Sequence, residues 1–192
     1  MKAARSNPSH RALVNLEKMG YHRSIITQNG DNLHREAGNS RIYEMHGNLY
    51  LLNCLECSKK EIIEQETCFE MLEGMIKNMK RFSLEEMVSH LPLCSYGGSG
   101  RPDFVAFGET VQNLPQAMAE AKACDLILIL GTSGVVYPAA SLPGIAQSGG
   151  AHLIEINPKR SALTMQTDLF LEGTTGEILP TILSSFEEII LK

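Results

Sequence analysis

The feature that most constrains the fold is a run of five aliphatic residues that ends in a turn of small residues. The run LILIL spans 126–130, and GTSG follows at 131–134. An uninterrupted apolar run of this length is typical of a strand that is buried on both faces, as in a parallel sheet. The small residues that follow predict a tight turn at the carboxyl end of the strand.

The same alternation of strand and helix recurs along the chain. Further strands are predicted at 25–27, 152–156 and 168–171, and helices at about 8–19, 139–148 and 177–191. Parallel strands need helical crossovers, so this order indicates an α/β fold with a mostly parallel sheet and helices.

Residues 51–102 interrupt this alternation. They contain CLEC at 54–57, a charged stretch with helical apolar spacing from 59 to about 88, and a glycine-rich run that ends at Pro102. We therefore predict one α/β domain made of residues 1–50 and 103–192, and a small inserted lobe, helical or zinc-binding, at 51–102.

Composition excludes several classes of protein. The 192 residues are 43% apolar, which is enough for one ordinary core with a small insertion, and the formal net charge is -5. This charge argues against a nucleic-acid partner, which usually requires a concentrated basic face. No stretch approaches the roughly 20 apolar residues of a membrane span, and the first residues lack an apolar secretory segment. We expect a cytoplasmic protein without a membrane partner.

Five cysteines, an odd number, suit reduced thiols or metal ligands better than a disulfide framework. Cys54 and Cys57 have the spacing that allows two thiolates to reach one tetrahedral zinc ion. Cys94 is the expected third ligand, but Gly97 stands where a fourth cysteine would complete a second pair. Cys68 and His90 are the other candidates for the fourth ligand. Semi-buried thiols under a loop are the alternative to a metal site.

Polar residues cluster at the predicted carboxyl ends of two strands. Gln28, Asn29 and Asp31 follow the strand at 25–27, and Asn157 follows the strand at 152–156. In open α/β sheets this edge faces the ligand crevice. The GTSG turn offers amides and hydroxyls that suit a phosphate or a ribose. Asn157 suits a ribose hydroxyl, although an asparagine before proline also initiates turns.

Two histidines differ in their expected roles. His46 lies between an apolar residue and a glycine in YEMHGNLYLL, where its ring can stand at the edge of a pocket. A histidine beside a hydroxyl can act as a base near neutral pH, although a structural role is the alternative. We expect His34 to have a structural or positioning role. Cys124 is expected to be a core residue that opens a strand.

Taken together, these stretches resemble the sirtuins, the NAD-dependent protein lysine deacylases. The matching stretches are TQNGDNLHREAG at 27–38, EMHGNL at 44–49, CLEC at 54–57, RPDFVAFGE at 101–109, CDLILILGTSGVVYPAA at 124–140, LIEINP at 153–158 and GEILPTIL at 176–183. They cover nearly the whole chain in family order, which makes the set far more specific than any single motif.

The resemblance implies a Rossmann-like parallel sheet of the sirtuin, DHS-like type that binds NAD, with a small zinc-ribbon-like lobe inserted at 51–102. An acylated-lysine protein or peptide would bind in the cleft between these parts. His46 would be the general base that acts on a ribose hydroxyl, and the zinc ion would be structural.

The resemblance also assigns the binding residues. Those expected to bind NAD are Gln28, Asn29 and Asp31 on the nicotinamide and ribose side, with Gly131, Thr132, Ser133 and Asn157 on the adenosine side. Those expected to bind the substrate are Val105, Phe107, Gly108, Glu109 and Val135. The segment 105–109 matches a strand that pairs with the substrate backbone by β-augmentation.

The sequence departs from the family pattern at its start and at Gly30. Sirtuins begin with a strand and a glycine-rich phosphate loop, GAGxSxxSGIPDFR, and no matching stretch occurs here. Gly30 stands where many relatives carry isoleucine. Alternative predictions are therefore a catalytically impaired fragment, a noncatalytic module that binds acyl-lysine or a partner, and a protein mono-ADP-ribosyltransferase. The presence of His46 favours deacylation over the last of these.

Overall fold

The computed structural model of the chain describes residues 4–64, 66, 67, 70, 73, 74, 77 and 91–190. These residues divide into two compact units. Unit 1 contains Asn29–Asn32 and the described part of His46–Thr110. Unit 2 contains Arg5–Gln28, Leu33–Met45 and the described part of Val111–Lys192. Unit 1 thus extends beyond 51–102 on both sides, and the assignment of separate roles to two domains stays a prediction.

Unit 2 has the expected α/β architecture. Its helices are α1 (Pro8–Lys18), α2 (Leu33–Ala37), α3 (Leu114–Ala123), α4 (Leu142–Ser148) and α5 (Thr175–Ile190), and its strands are β1 (Ile25–Thr27), β2 (Ile42–Glu44), β6 (Leu126–Leu130), β7 (His152–Asn157) and β8 (Leu169–Glu172). All of the strand pairs in this unit are parallel among the described residues, β1 with β2 and β7 with both β6 and β8. The predicted parallel sheet is confirmed.

Apolar residues of the helices and strands form two main cores in unit 2. The first contains Ala12, Leu13, Ile25, Ile156, Leu179 and Leu183, and the second contains Met45, Ala117, Ala121, Ala139, Leu142, Ala146 and Ala151. The apolar stripes of α1 and α5 meet in the first core because their residues recur every three to four positions. Cys124 packs against the second core, as expected, but the strand begins only at Leu126.

Local signals set the limits of the first helix as predicted. Pro8 occupies the first turn of α1, where its missing N–H costs nothing. The Asn7 side chain accepts a hydrogen bond from the His10 N–H at 3.2 Å and so caps the helix. Gly20 follows the last turn with a φ of +82°, a conformation that favours glycine.

Unit 1 is built on an antiparallel sheet in the order β4-β3-β5. Its strands are β3 (Gly47–Cys54), β4 (Lys60–Ile62) and β5 (Gly100–Phe104). Leu52, Cys54 and Cys94 form its small buried core. The helix predicted from 59 is wrong at its beginning, because Lys60–Ile62 pairs with β3; most of its remainder lies outside the described residues.

Two other predictions differ in detail from the structure. The helix predicted at 139–148 is a 3-10 turn at Ala139–Ser141 followed by α4, and the last strand begins one residue later than predicted. Within the part of the chain that the structure describes, every helix is too short or too polar to cross a membrane.

Candidate active site

His46 lies in the turn that joins β2 to β3. His46 is half-buried, and its backbone carbonyl accepts a hydrogen bond from the Val105 N–H at 3.0 Å. This bond links the expected base to the first residue of the expected substrate segment within unit 1.

The residue after His46 must be glycine. Gly47 has a φ of +82°, and a Cβ at this position would lie 2.3 Å from the carbonyl oxygen of Asp103 on β5. Such a separation is far below van der Waals contact, and the close atom belongs to backbone. The close approach of β3 and β5 at Gly47 therefore sets the position of the turn that carries His46.

Asn29 and Asp31 belong to an irregular segment, Asn29–Asn32, that is held against β3. The Gly30 carbonyl accepts a hydrogen bond from the Leu49 N–H at 3.0 Å, and a Cβ at Gly30 would lie 3.4 Å from the Gly47 carbonyl oxygen. Asn29 is exposed and Asp31 is half-buried. The polar groups expected to bind nicotinamide thus lie on a segment that packs closely on the strand after His46.

Gln28, the other expected residue of this group, lies in unit 2 and is half-buried. In the same unit, α2 is tied to the end of β2 by an ion pair. Arg35 donates two hydrogen bonds to the Glu44 carboxylate, at 3.2 and 2.9 Å, and this pair raises the pKa of Arg35. The pair is bidentate, and it ties down the strand that leads to His46. His34 lies on α2, and its ring is 4.7 Å from that of His10, consistent with a positioning role.

The GTSG turn and Asn157 are brought together at the carboxyl ends of β6 and β7. Asn157 Nδ2 donates to the Thr132 carbonyl at 2.7 Å, and Gly131 has a φ of +59° with open space where a Cβ would stand. Gly134 has no such space, since a Cβ there would lie 2.4 Å from Leu163 Cγ. The exposed Gly131 and Ser133 can therefore face a ribose or phosphate, and the sequence prediction of a ligand-binding turn fits this geometry.

The Glu155 carboxylate, with 0% exposure, supports the GTSG turn through Asn157. Glu155 on β7 accepts hydrogen bonds from Thr164 Oγ1 at 2.5 Å and Asn157 Nδ2 at 3.2 Å. Burial raises the pKa of Glu155, but hydrogen bonds from Ser161, Thr164 and Asn157 outweigh it, so the pKa lies below its usual value. Glu155 is thus ionised at neutral pH and anchors the side chain of Asn157.

The segment 105–109 is not a strand in this structure, which corrects the prediction. β5 ends at Phe104, and residues 106–109 form a turn closed by a hydrogen bond from the Glu109 N–H to the Ala106 carbonyl at 3.0 Å. Glu109 also accepts hydrogen bonds from the Ala106 N–H and from Arg101, and these lower its pKa. Gly108 has a φ of +91°, which favours the turn over an extended strand. The predicted substrate residues Phe107, Gly108, Glu109 and Val135 are exposed, and Val105 is half-buried.

The three expected zinc ligands are brought together in unit 1. The Sγ atoms of Cys54, Cys57 and Cys94 all lie within 4.8 Å of one another. The backbone N–H of Cys57, followed by that of Glu56, lowers the pKa of the Cys54 thiol to about 7. A cluster of three thiols at this spacing is compatible with a structural zinc ion. Gly97 faces open space in the turn after Cys94, while Cys68 and His90 lie outside the described residues.

Three buried polar residues of these segments were missed by sequence reasoning. Asn48 is 2% exposed and donates from Nδ2 to Asn32 Oδ1 at 2.9 Å. Asp103, also 2% exposed, forms an ion pair of 2.7 Å with Lys60. Glu155 is the third. A polar residue inside an otherwise apolar strand is the available signal, and it is clearest for Glu155 in LIEIN.

Comparison with known proteins agrees with this arrangement. Residues 1–138 match the model of the Sir2 family. The NAD-dependent protein deacylase of Desulfosudis oleivorans is 43% identical over 188 residues, which cover 97% of this chain and 69% of that protein.

Solved structures of Sir2 proteins have the same fold. A Sir2 homologue bound to ADP-ribose superposes with a TM-score of 0.82 at 33% identity, covering 98% of this chain and 70% of that one. A Sir2 structure with a p53 peptide and NAD+ gives a TM-score of 0.76 at 30% identity, with 96% and 72% coverage. The cysteine cluster, the parallel sheet and these matches lead to one conclusion: the chain belongs to the Sir2 family.

Proposed function

We propose that this chain is an NAD-dependent protein lysine deacylase in which His46 is the general base. The observation that carries this proposal is the setting of His46, whose carbonyl is held by Val105 at 3.0 Å and whose following residue can only be glycine. A base acts only when it is held at a fixed distance from the hydroxyl that it deprotonates. The Sir2 match and the deacylase relative at 43% identity support the reaction type.

Bound NAD would supply the ribosyl group that takes the acyl group, with nicotinamide as the leaving group. In this proposal His46 accepts the proton of a ribose hydroxyl, and Gln28, Asn29 and Asp31 orient the nicotinamide and its ribose. Gly131, Thr132 and Ser133 receive the adenosine side, where Asn157 is anchored by Glu155 at 3.2 Å.

The substrate is proposed to be an acylated lysine in a protein or peptide. The segment 105–109 begins with Val105, whose N–H binds the His46 carbonyl, and offers further backbone groups to a peptide. Phe107 in this segment presents a fully exposed aromatic ring. Arg101 and Ala106 hold the Glu109 carboxylate, which keeps the turn in one conformation. Val135 is the further residue proposed to contact the peptide. The p53 peptide in the related Sir2 structure supports a peptide as the substrate.

A reducing compartment, the cytoplasm, is proposed as the location. Cys54, Cys57 and Cys94 are free thiols gathered in one cluster, a state that oxidising compartments do not favour. Fractionation of cells that produce the tagged chain checks this assignment, and recovery in an oxidising compartment would contradict it.

Mass spectrometry of an acetyl-lysine peptide incubated with the chain and NAD tests the proposed function. We expect deacetylated peptide, free nicotinamide and acetyl-ADP-ribose. His46→Ala should lower turnover at least about 100-fold, because a general base contributes roughly 10²–10⁴ to the rate, while NAD affinity changes little. His152→Ala is the matched control, since its ring is largely exposed in unit 2.

Each alternative outcome has a distinct product. Peptide that gains ADP-ribose and keeps its acetyl group would indicate a mono-ADP-ribosyltransferase. Peptide binding without turnover would indicate a noncatalytic module. Equal activity of His46→Ala and the unsubstituted chain would exclude His46 as the base.

A further inference from the structure

The segment that carries Asn29 and Asp31 ends in a residue with unusual backbone geometry. Asn32 has a φ of +63°, the left-handed region that asparagine tolerates better than most residues. No regular strand or helix includes Asn29–Asn32, so ladder hydrogen bonds do not define its conformation. Its position must come from contacts with a neighbouring element.

Strand β3 provides these contacts through two consecutive residues. The Leu49 N–H binds the Gly30 carbonyl at 3.0 Å, and Asn48 Nδ2 donates to Asn32 Oδ1 at 2.9 Å. Any side chain at 49 can make the first bond because it uses backbone. The second bond depends on the identity of both asparagines.

The Asn48 amide is itself held in one orientation. Its Oδ1 accepts a hydrogen bond from the Tyr50 N–H at 2.9 Å, so that Nδ2 points toward Asn32. The pairing of β3 with β5 changes register between Asn48 and Leu52. Irregularities of this kind redirect side chains near functional sites and release backbone groups from the ladder. Asn48 is 2% exposed, so water does not compete for these bonds.

We propose that Asn48, through its hydrogen bond to Asn32, is the positioning residue that holds Asn29 and Asp31 for NAD on the strand that follows His46. This inference rests on the proposed function, which assigns those two residues to the NAD site. Asn48 acts through Asn32 and is not itself a catalytic residue. Misplacement of binding groups by about 1 Å can cost roughly 100-fold in rate, so a fixed segment is needed.

A three-variant cycle tests the pair with little change in shape. Asn32→Asp keeps an acceptor for Asn48 Nδ2. Asn48→Asp keeps an acceptor for Tyr50 and allows the Asn32 amide to turn and donate. The double variant Asn32→Asp with Asn48→Asp leaves no amide donor and places two carboxylates side by side, which repel each other when both are ionised. Asn53→Asp, the same change further along β3, is the matched control.

The primary measurement is the dissociation constant of NAD by calorimetry, which does not require turnover. We expect each single variant to raise it less than about threefold and the double variant to raise it at least about tenfold, a coupling within the range of contacting residues. The KM for NAD should follow, whereas the KM for the acetyl peptide should change little; the melting temperature of the double variant should fall, because one of its two adjacent carboxylates is buried.

Three results would overturn the inference. One is a double variant with an NAD dissociation constant within threefold of the unsubstituted chain. Another is an equal loss of NAD affinity and peptide affinity, which would mark the pair as merely structural. The third is an unsubstituted chain that does not bind NAD. Tight NAD binding without deacylation would instead refute the proposed function while the cycle still tests the pair.

Discussion

The two units differ in what fills their interiors. Unit 2 buries aliphatic residues from four helices, α1, α3, α4 and α5, and from its parallel strands, and Ala146, Leu153 and Ile156 have no exposed surface. Unit 1 buries Leu52 with two cysteines, while Asn48 and Asp103 are equally inaccessible. Aliphatic burial contributes roughly 25 cal/mol per Å² without requiring specific partners. Buried polar groups stabilise only when their partners are present.

The unit that carries the expected base therefore depends more strongly on the geometry of individual hydrogen bonds. His46, its following glycine and the Asn29–Asn32 segment all belong to unit 1, where single contacts define positions. Unit 2 offers a sheet edge whose small-residue turn is supported by Asn157, itself hydrogen-bonded to the buried Glu155, and by backbone hydrogen bonds to Ile156 and Ala162. We therefore expect the stability of unit 1 to depend on individual polar contacts, and the stability of unit 2 to depend mainly on the burial of its aliphatic side chains.

The largest difference between the two units is expected on removal of metal from the cluster of Cys54, Cys57 and Cys94, which we propose to be a structural zinc site. Structural zinc contributes roughly 10 kcal/mol or more to the folding of small lobes. Chelation, or Cys57→Ser, should therefore release amide protection in β3–β5 while β6–β8 stay protected. Hydrogen exchange followed by mass spectrometry measures both units at once, and a chromogenic chelator measures the released metal.

Cys124→Ser is the control for that experiment, since this thiol packs in unit 2 and lies outside the cluster. Uniform loss of protection in both units would show that they do not differ in metal dependence. Full protection of β3–β5 in the metal-free chain would show that the three thiols are not a structural site.

A smaller effect is expected from Gly47→Ala, compared with Gly20→Ala in unit 2. Both glycines have a φ of +82°, but a Cβ at Gly47 would overlap Asp103 O whereas a Cβ at Gly20 meets nothing within 4 Å. Backbone strain should cost each about 1 kcal/mol, and the overlap about 1–3 kcal/mol more at Gly47. Urea unfolding followed by circular dichroism measures the difference, and deacylation should fall only for Gly47→Ala. Equal losses of stability would mean that β5 moves away without cost.

Much of unit 2 was predictable because its signals are local. The run at 126–130, the glycine after α1 and the spacing of apolar residues in α1 and α5 each act through neighbours in the sequence. The strand LIEIN was also found, although the role of its buried glutamate was not. That role depends on Thr164, nine residues away, whose hydroxyl meets Glu155 only in the folded chain.

Unit 1 was less predictable because its structure depends on distant pairs. The stretch from 59 has helical spacing, yet Lys60–Ile62 pairs with β3 and Lys60 reaches Asp103, 43 residues further on. The segment 105–109, predicted as a strand, contains a turn instead, because Arg101 and the Ala106 N–H donate hydrogen bonds to the Glu109 carboxylate. The resemblance to sirtuins predicted His46 as the base, but the hydrogen bond between Asn48 and Asn32 became evident only in the structure.

The smallest effect is expected inside unit 2 from Glu155, one of several buried polar residues in this unit. Its hydrogen bonds from neutral donors lower its pKa below that of an exposed glutamate. Ionised Glu155 therefore stabilises the folded state fully above the unfolded pKa of about 4.3, and this stabilisation is lost as pH falls through the lowered folded pKa. Glu155→Gln should cost about 1–2 kcal/mol at pH 7 and lose less stability on acidification to pH 3. Urea unfolding at pH 7 and pH 3, with the exposed Glu172→Gln as control, measures both quantities. An unchanged pH dependence in Glu155→Gln would mean that folding does not lower the pKa of Glu155, and the buried carboxylate would then contribute no pH-dependent stability to unit 2.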